Sequence, residues 1–125
     1  SVMYSNICVN LGSTVMLDAA LCDIPIICGG YDGDEILPPE KSYARCYEYS
    51  HQKPFHSIGA TQICYSREQM LQVICEALAN PEALAEKRMQ IVTRYLGSKD
   101  VSAEKIRNTL LELVSSNIPT EKVLV

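Results

Sequence analysis

Between a short apolar run and a helix-like segment the chain carries Asn10, Gly12, Ser13 and Thr14, and one turn further on a lone acid, Asp18. These residue types at this spacing suit an anion lying beside a diol. Gly12 lets the backbone turn sharply and lets a ligand approach with no Cβ in the way. Ser13 and Thr14 can cap the following helix or donate hydroxyl hydrogen bonds. The first N–H groups of a helix have no partners inside it, and the helix dipole adds positive potential there. A phosphate or diphosphate fits such a place. Asp18 follows Thr14 by four residues, so both project from one helix face. A carboxylate repels phosphate, but it accepts hydrogen bonds from the hydroxyls of a ribose or sugar. The plainer alternative is a Gly-Ser-Thr turn that only caps a helix, with Asp18 solvated.

Other residues offer weaker chemistry. Asp32, Asp34 and Glu35 make an acidic loop after the second apolar run. Ligands of open α/β sheets bind beyond the carboxyl ends of strands, so this loop is placed to touch a sugar ligand or a metal, and an exposed acidic loop is the plainer alternative. Its spacing does not match a calcium loop. His51 and His56 flank Lys53-Pro54-Phe55. They lack a Cys or acid partner at metal-ligand spacing, so no metal is expected. A phosphate contact from His51, Lys53 or His56 is a lesser alternative to a surface loop. Tyr43 and Tyr47 share a helical face and are expected to pack on the sheet. No Ser-His-Asp set is present, because Ser13 does not sit in a G-x-S-x-G elbow and no Cys has a telling His nearby.

The elements that must position these residues can be read around them. Residues 7–9 read as a short buried strand, 15–22 as a helix, and 24–28 as a second strand with Pro25 at its start. Strand, helix, strand implies a parallel pair. Residues 29–41 read as a loop, 42–50 as a short helix, 51–59 as irregular and 60–65 as a third strand. Ser66-Arg67-Glu68-Gln69 is a capping box, followed by Met70, Val73, Ile74, Ala77 and Leu78 at helical spacing. Asn80-Pro81 reads as a cap with Pro at the first helical position, and that helix runs to Leu96 before Gly97. Ser102 is expected to cap a last helix with an apolar face of Ile106, Leu110, Leu113 and Val114. Residues 1–117 read as a single domain and 118–125 as a frayed tail.

Bulk properties bound the function. The 125 residues suit one domain or part of a larger protein, and 47% hydrophobic with 21% charged residues is ordinary for a packed core. A net charge of −4 leaves no basic excess for nucleic acid or anionic membrane. The six cysteines form no C-x-x-C pair and mostly sit among apolar residues. They read as small buried thiols of a cytoplasmic protein rather than three disulfides. The entry into a strand almost at once suggests a C-terminal fragment.

The segment Asn10–Cys28 resembles the donor-site segment of glycosyltransferases of the two-Rossmann-domain GT-B architecture. Their pattern is a small or Gly-rich turn, a helix bearing Glu or Asp, then a Pro and an apolar strand. The acid stands six residues after the Gly, as Asp18 does after Gly12. The same segment resembles the Ser-Ser/Thr…Asp stretch of CDP-glycerol glycerophosphotransferases at Ser13, Thr14 and Asp18. Residues 65–88 are similar to the family's C-terminal helix pair. Plant-type members have His where Asn10 stands, and an Asp-Gln or Glu-Gln pair that is absent here; Asp32 and Asp34 are loose substitutes.

The resemblance implies an α/β fold, a Rossmann-like parallel sheet with flanking helices, part of the C-terminal domain of a GT-B architecture. It implies donor diphosphate binding by Gly12, Ser13 and Thr14, ribose binding by Asp18, and donor-sugar or acceptor contacts from Asn10, Asp32 and Asp34. The reaction implied is transfer of a glycosyl or glycerol-phosphate group from a nucleotide-activated donor to an acceptor hydroxyl. No cofactor beyond that donor substrate is expected. The catalytic base is expected in a missing N-terminal domain, so the chain alone is expected to be inactive. A nucleotide-sugar 2-epimerase-like domain and a non-enzymatic α/β interaction module are the alternatives. A homodimer through uncovered apolar surface is a further expectation.

Overall fold

A computed structural model of the chain describes residues 2–97 and 103–116. Three short strands, β1 (Cys8–Asn10), β2 (Ile26–Gly29) and β3 (Thr61–Cys64), form one parallel sheet in the order β1-β2-β3. Cys8 pairs with Ile26 and Asn10 with Cys28; Ile26 pairs with Thr61 and Gly29 with Cys64. β2 is central and buried along its whole length. That accounts for its unbroken apolar sequence, because a strand covered on both faces has no solvent side.

Alternation along β2 sorts the core into two layers. Ile26 and Cys28 meet Met16, Ala19 and Ala20 of α1 (Val15–Leu21), with Ile91, Val92, Tyr47 and Phe55. Ile27 faces the opposite way and packs with Cys64 and with Met70, Val73 and Ala77 of α3 (Arg67–Ala79). The result is an α/β domain, a three-stranded parallel sheet flanked by helices on both faces. The three expected strands and the helix between the first two are present, with ends shifted by one or two residues. Asp23 ends α1 in the left-handed region, with φ +56°, and its N–H reaches the Ala20 carbonyl.

Several local expectations change. Residues 43–48 form a 3-10 helix, capped by Ser42 Oγ accepting from the Ala44 N–H at 3.2 Å. The stretch read as irregular contains a helical turn, α2 (Lys53–His56), because Pro54 sits in its first turn where its missing N–H costs nothing. α4 (Ala85–Ile91) begins four residues after Pro81, not at it. Residues 81–84 are a turn instead, held by Arg88, whose Nη2 donates to the Pro81 carbonyl at 2.7 Å. A π-helical turn, Val92–Leu96, continues α4 to Gly97. The last helix is α5 (Ala103–Ser116), and Ile106, Leu110, Leu113 and Val114 are exposed on it. The expected Ser102 cap and the tail 118–125 lie outside the described residues. All six cysteines are free thiols. Among the described residues no helix is long and apolar enough to cross a membrane.

Candidate functional site

The carboxyl ends of the strands bring the turn after β1 and the loop after β2 side by side. Gly12 adopts φ +74°, a conformation that a Cβ disfavours, and this lets the chain reverse between β1 and α1. Asn10, the last residue of β1, is buried. Its Oδ1 accepts from the Gly12 N–H at 2.9 Å and from the Ser13 N–H at 3.3 Å. Ser13 Oγ accepts from the Val15 N–H at 3.4 Å. Two of the amides nominated for a diphosphate are thus engaged by a side chain of the same turn. Asn10 is the cap that builds the turn rather than a group facing a sugar. The hydroxyls of Ser13 and Thr14 are exposed, as is Asp18 one turn along α1.

Tyrosines from the 3-10 helix lock the turn to its neighbours. Tyr47 is buried, and its hydroxyl donates to the Gly29 carbonyl. Tyr43 donates from its hydroxyl to the Leu11 carbonyl. The two rings meet edge-on, 6.4 Å apart. Gln52 Nε2 donates to the Gly12 carbonyl at 2.8 Å from forty residues away in the sequence. Burial pushes the thiol of Cys28, beneath the turn, up to about 12, and raises the Tyr47 phenol as well. These groups are therefore neutral at pH 7 and present no charge to a ligand.

The acidic loop is held by the same helix. Asp32 Oδ1 accepts from the Tyr43 N–H at 2.6 Å. A side-chain hydrogen bond from Ser42, and then this backbone one, hold the Asp32 carboxyl below the usual carboxylate range. Asp32 and Asp34 line a cleft of about 490 Å³ together with Gly30, Tyr65, Ser66 and Arg67. Ser66 caps α3 by accepting from the Gln69 N–H at 3.1 Å, and Gln69 Oε1 accepts from the Tyr65 N–H at 2.8 Å. The capping box therefore closes one residue earlier than its usual form. Arg67 at this cleft had no signal in the sequence beyond its place in the cap.

The lesser candidates separate. Lys53 pairs with Glu48 at 2.7 Å on the surface, which raises the lysine's affinity for its proton. His51 is exposed and lies against Tyr49. His56 turns inward instead, packing edge-on against Tyr47 at 4.8 Å with Nδ1 2.7 Å from Thr61 Oγ1. Its Nε2 is buried without a partner, and burial lowers its affinity for a proton. Among the described residues no group of three His, Cys, Asp or Glu is placed to hold a metal. No family model matches the chain, and no curated protein or solved structure matches it either.

Proposed function

We propose that the chain is the donor-binding portion of a GT-B-like transferase, which moves a glycosyl or glycerol-phosphate group from a nucleotide-activated donor to an acceptor hydroxyl. One observation carries the reading. The polar turn 10–14 and the acidic loop 31–35 stand at the carboxyl ends of adjacent parallel strands, where open α/β sheets take their ligands. The resemblance of residues 10–28 to donor-site segments supports it. Because Asn10 engages the Gly12 and Ser13 amides, the exposed hydroxyls of Ser13 and Thr14 make the phosphate contact. Asp18 binds the ribose, and Asp32 and Asp34 face the donor sugar or the acceptor. The catalytic base belongs to a second, N-terminal domain, so the chain binds without turning over.

The capped amides also favour a second reading, a non-enzymatic interaction module in which the turn only starts α1. An NMR titration with UDP, CDP and GDP separates the two. Saturable shifts at Gly12–Thr14 and at Asp18 support the transferase reading. Unmoved amides there at millimolar nucleotide refute it and leave the module.

A further inference from the structure

A second cavity lies at the opposite, amino-terminal end of the sheet. It holds about 410 Å³ between the start of β2, the end of α3 and the turn before α4. Pro25, Ile26, Ala77, Pro81 and Leu84 make its walls largely apolar, and Arg88 reaches it from α4. Volumes of roughly 300–1,000 Å³, apolar with a few convergent polar groups, are typical of small-molecule sites.

Arg88 gives this cavity its chemistry. It is 1% exposed. Its Nε donates to Asp23 Oδ1 at 2.7 Å and its Nη2 to the Pro81 carbonyl at 2.7 Å. Its Nη1, with two N–H donors, makes no hydrogen bond to any described residue. Nη1 is not among the buried, unpartnered atoms of the described residues, so it meets water, and an acceptor in the cavity would take that water's place. Gln62, Glu76 and Asn80 are the other polar residues of the lining. The charges around Arg88 favour a neutral ligand modestly, because Asp23 is half exposed and Glu76 is exposed. Asp23 balances Arg88, and Glu76 adds one further negative charge, so a carboxylate would be repelled while a neutral acceptor would not.

We propose that this cavity is a binding site for a small, mainly apolar, uncharged molecule bearing a carbonyl group, whose oxygen accepts from Arg88 Nη1. The site is independent of the nucleotide reading and lies at the other end of the strands.

Three ring compounds of similar size test it: benzamide, benzoate and toluene, each titrated into the whole 15N-labelled chain. Benzamide is expected to shift the amides of Ala77, Asn80 and Leu84 and the Arg88 Nε–H saturably, and to bind at least tenfold more tightly than toluene and more tightly than benzoate. Ala83→Phe places a ring at the exposed rim without touching the Arg88–Asp23 pair, and should abolish the shifts while the spectrum stays folded. Arg88→Gln, if folded, should reduce benzamide to the toluene level. No saturable shift with any compound, equal affinity for all three, tighter binding of benzoate, or unchanged binding in Ala83→Phe would each overturn the proposal.

Discussion

Asn10 decides whether the turn after β1 exists, and its replacement can be worked through from the contacts. Asn10→Ala removes the acceptor of two backbone N–H groups, at 2.9 and 3.3 Å. It also removes a long donor contact to the Ile27 carbonyl at 3.4 Å. A net hydrogen bond is worth about 1 kcal/mol, and the longer bonds less. The turn is only half-buried, so water can replace part of the loss. Together with the small void left by a buried amide, the expected cost is about 2 kcal/mol. With a urea slope of about 2 kcal/mol per molar, the unfolding midpoint should fall by about 1 M. Circular dichroism during urea titration measures this. A midpoint within about 0.2 M of the parent would show that Asn10 does not hold the turn. Asn10→Asp sharpens the test, because the carboxylate still accepts from both amides. The variant loses the Nδ2 donor to the Ile27 carbonyl and buries a charge, so its stability at pH 7 should fall by about 1–3 kcal/mol, and its UDP binding is measured where the spectrum stays folded. The added charge, ~5 Å from a phosphate held by Ser13 and Thr14, costs binding about 1–3 kcal/mol. UDP affinity should therefore drop by about fivefold or more. Undiminished UDP binding in Asn10→Asp would remove the phosphate from this turn.

The other expectations concern packing and protonation. A Cβ at Gly30 would lie 2.8 Å from Ile63 Cγ2 and 3.2 Å from the Tyr65 ring, whereas at Gly29 the close atom is the flexible end of exposed Leu11. Gly30→Ala should therefore lose about 1–3 kcal/mol, and clearly more than Gly29→Ala, by chemical denaturation; equal losses would contradict the packing. His56 has a folded-state affinity for protons below the ordinary 6.5 because it is buried. The unfolded chain then binds the proton first, so stability is full above pH 6.5 and declines as pH falls from there toward the lower folded value. His56→Gln should flatten that slope in melts between pH 7 and 5, and an unchanged slope would assign it to another group. Cys75 is exposed, while Cys28 and Cys64 are buried. A thiol reagent at pH 8 should label Cys75 within minutes and Cys28 and Cys64 only on unfolding; early labelling of Cys28 in mass spectra would contradict its burial.

Much of the architecture was legible from local signals. The runs at Cys8 and Ile26, the helix between them and the Ser66 cap each follow from periodicity or from side-chain geometry within a few residues. Two departures depend on distant partners. α4 starts at Ala85 because Arg88 bonds the Pro81 carbonyl and Asp23, a partner 65 residues away. Gln52 reaches Gly12 over a similar kind of distance, and nothing in its neighbourhood marks it. Residues 51–59 read as irregular because four residues are too few for a helical period to show, yet Lys53–His56 is a helical turn with its proline in the first turn.

The sequence by itself determined that the chain is a parallel α/β unit with a polar turn after its first strand, since alternation, glycine and capping residues act locally. Only the tertiary structure decided which groups that turn leaves free. Folding brought Asn10 onto the Gly12 and Ser13 amides, drew His56 inward against Tyr47, and left Arg88 with open donors beside an apolar cavity. Hydrogen-bond partnership depends on distances across the fold, and those distances are fixed by packing rather than by the order of residues.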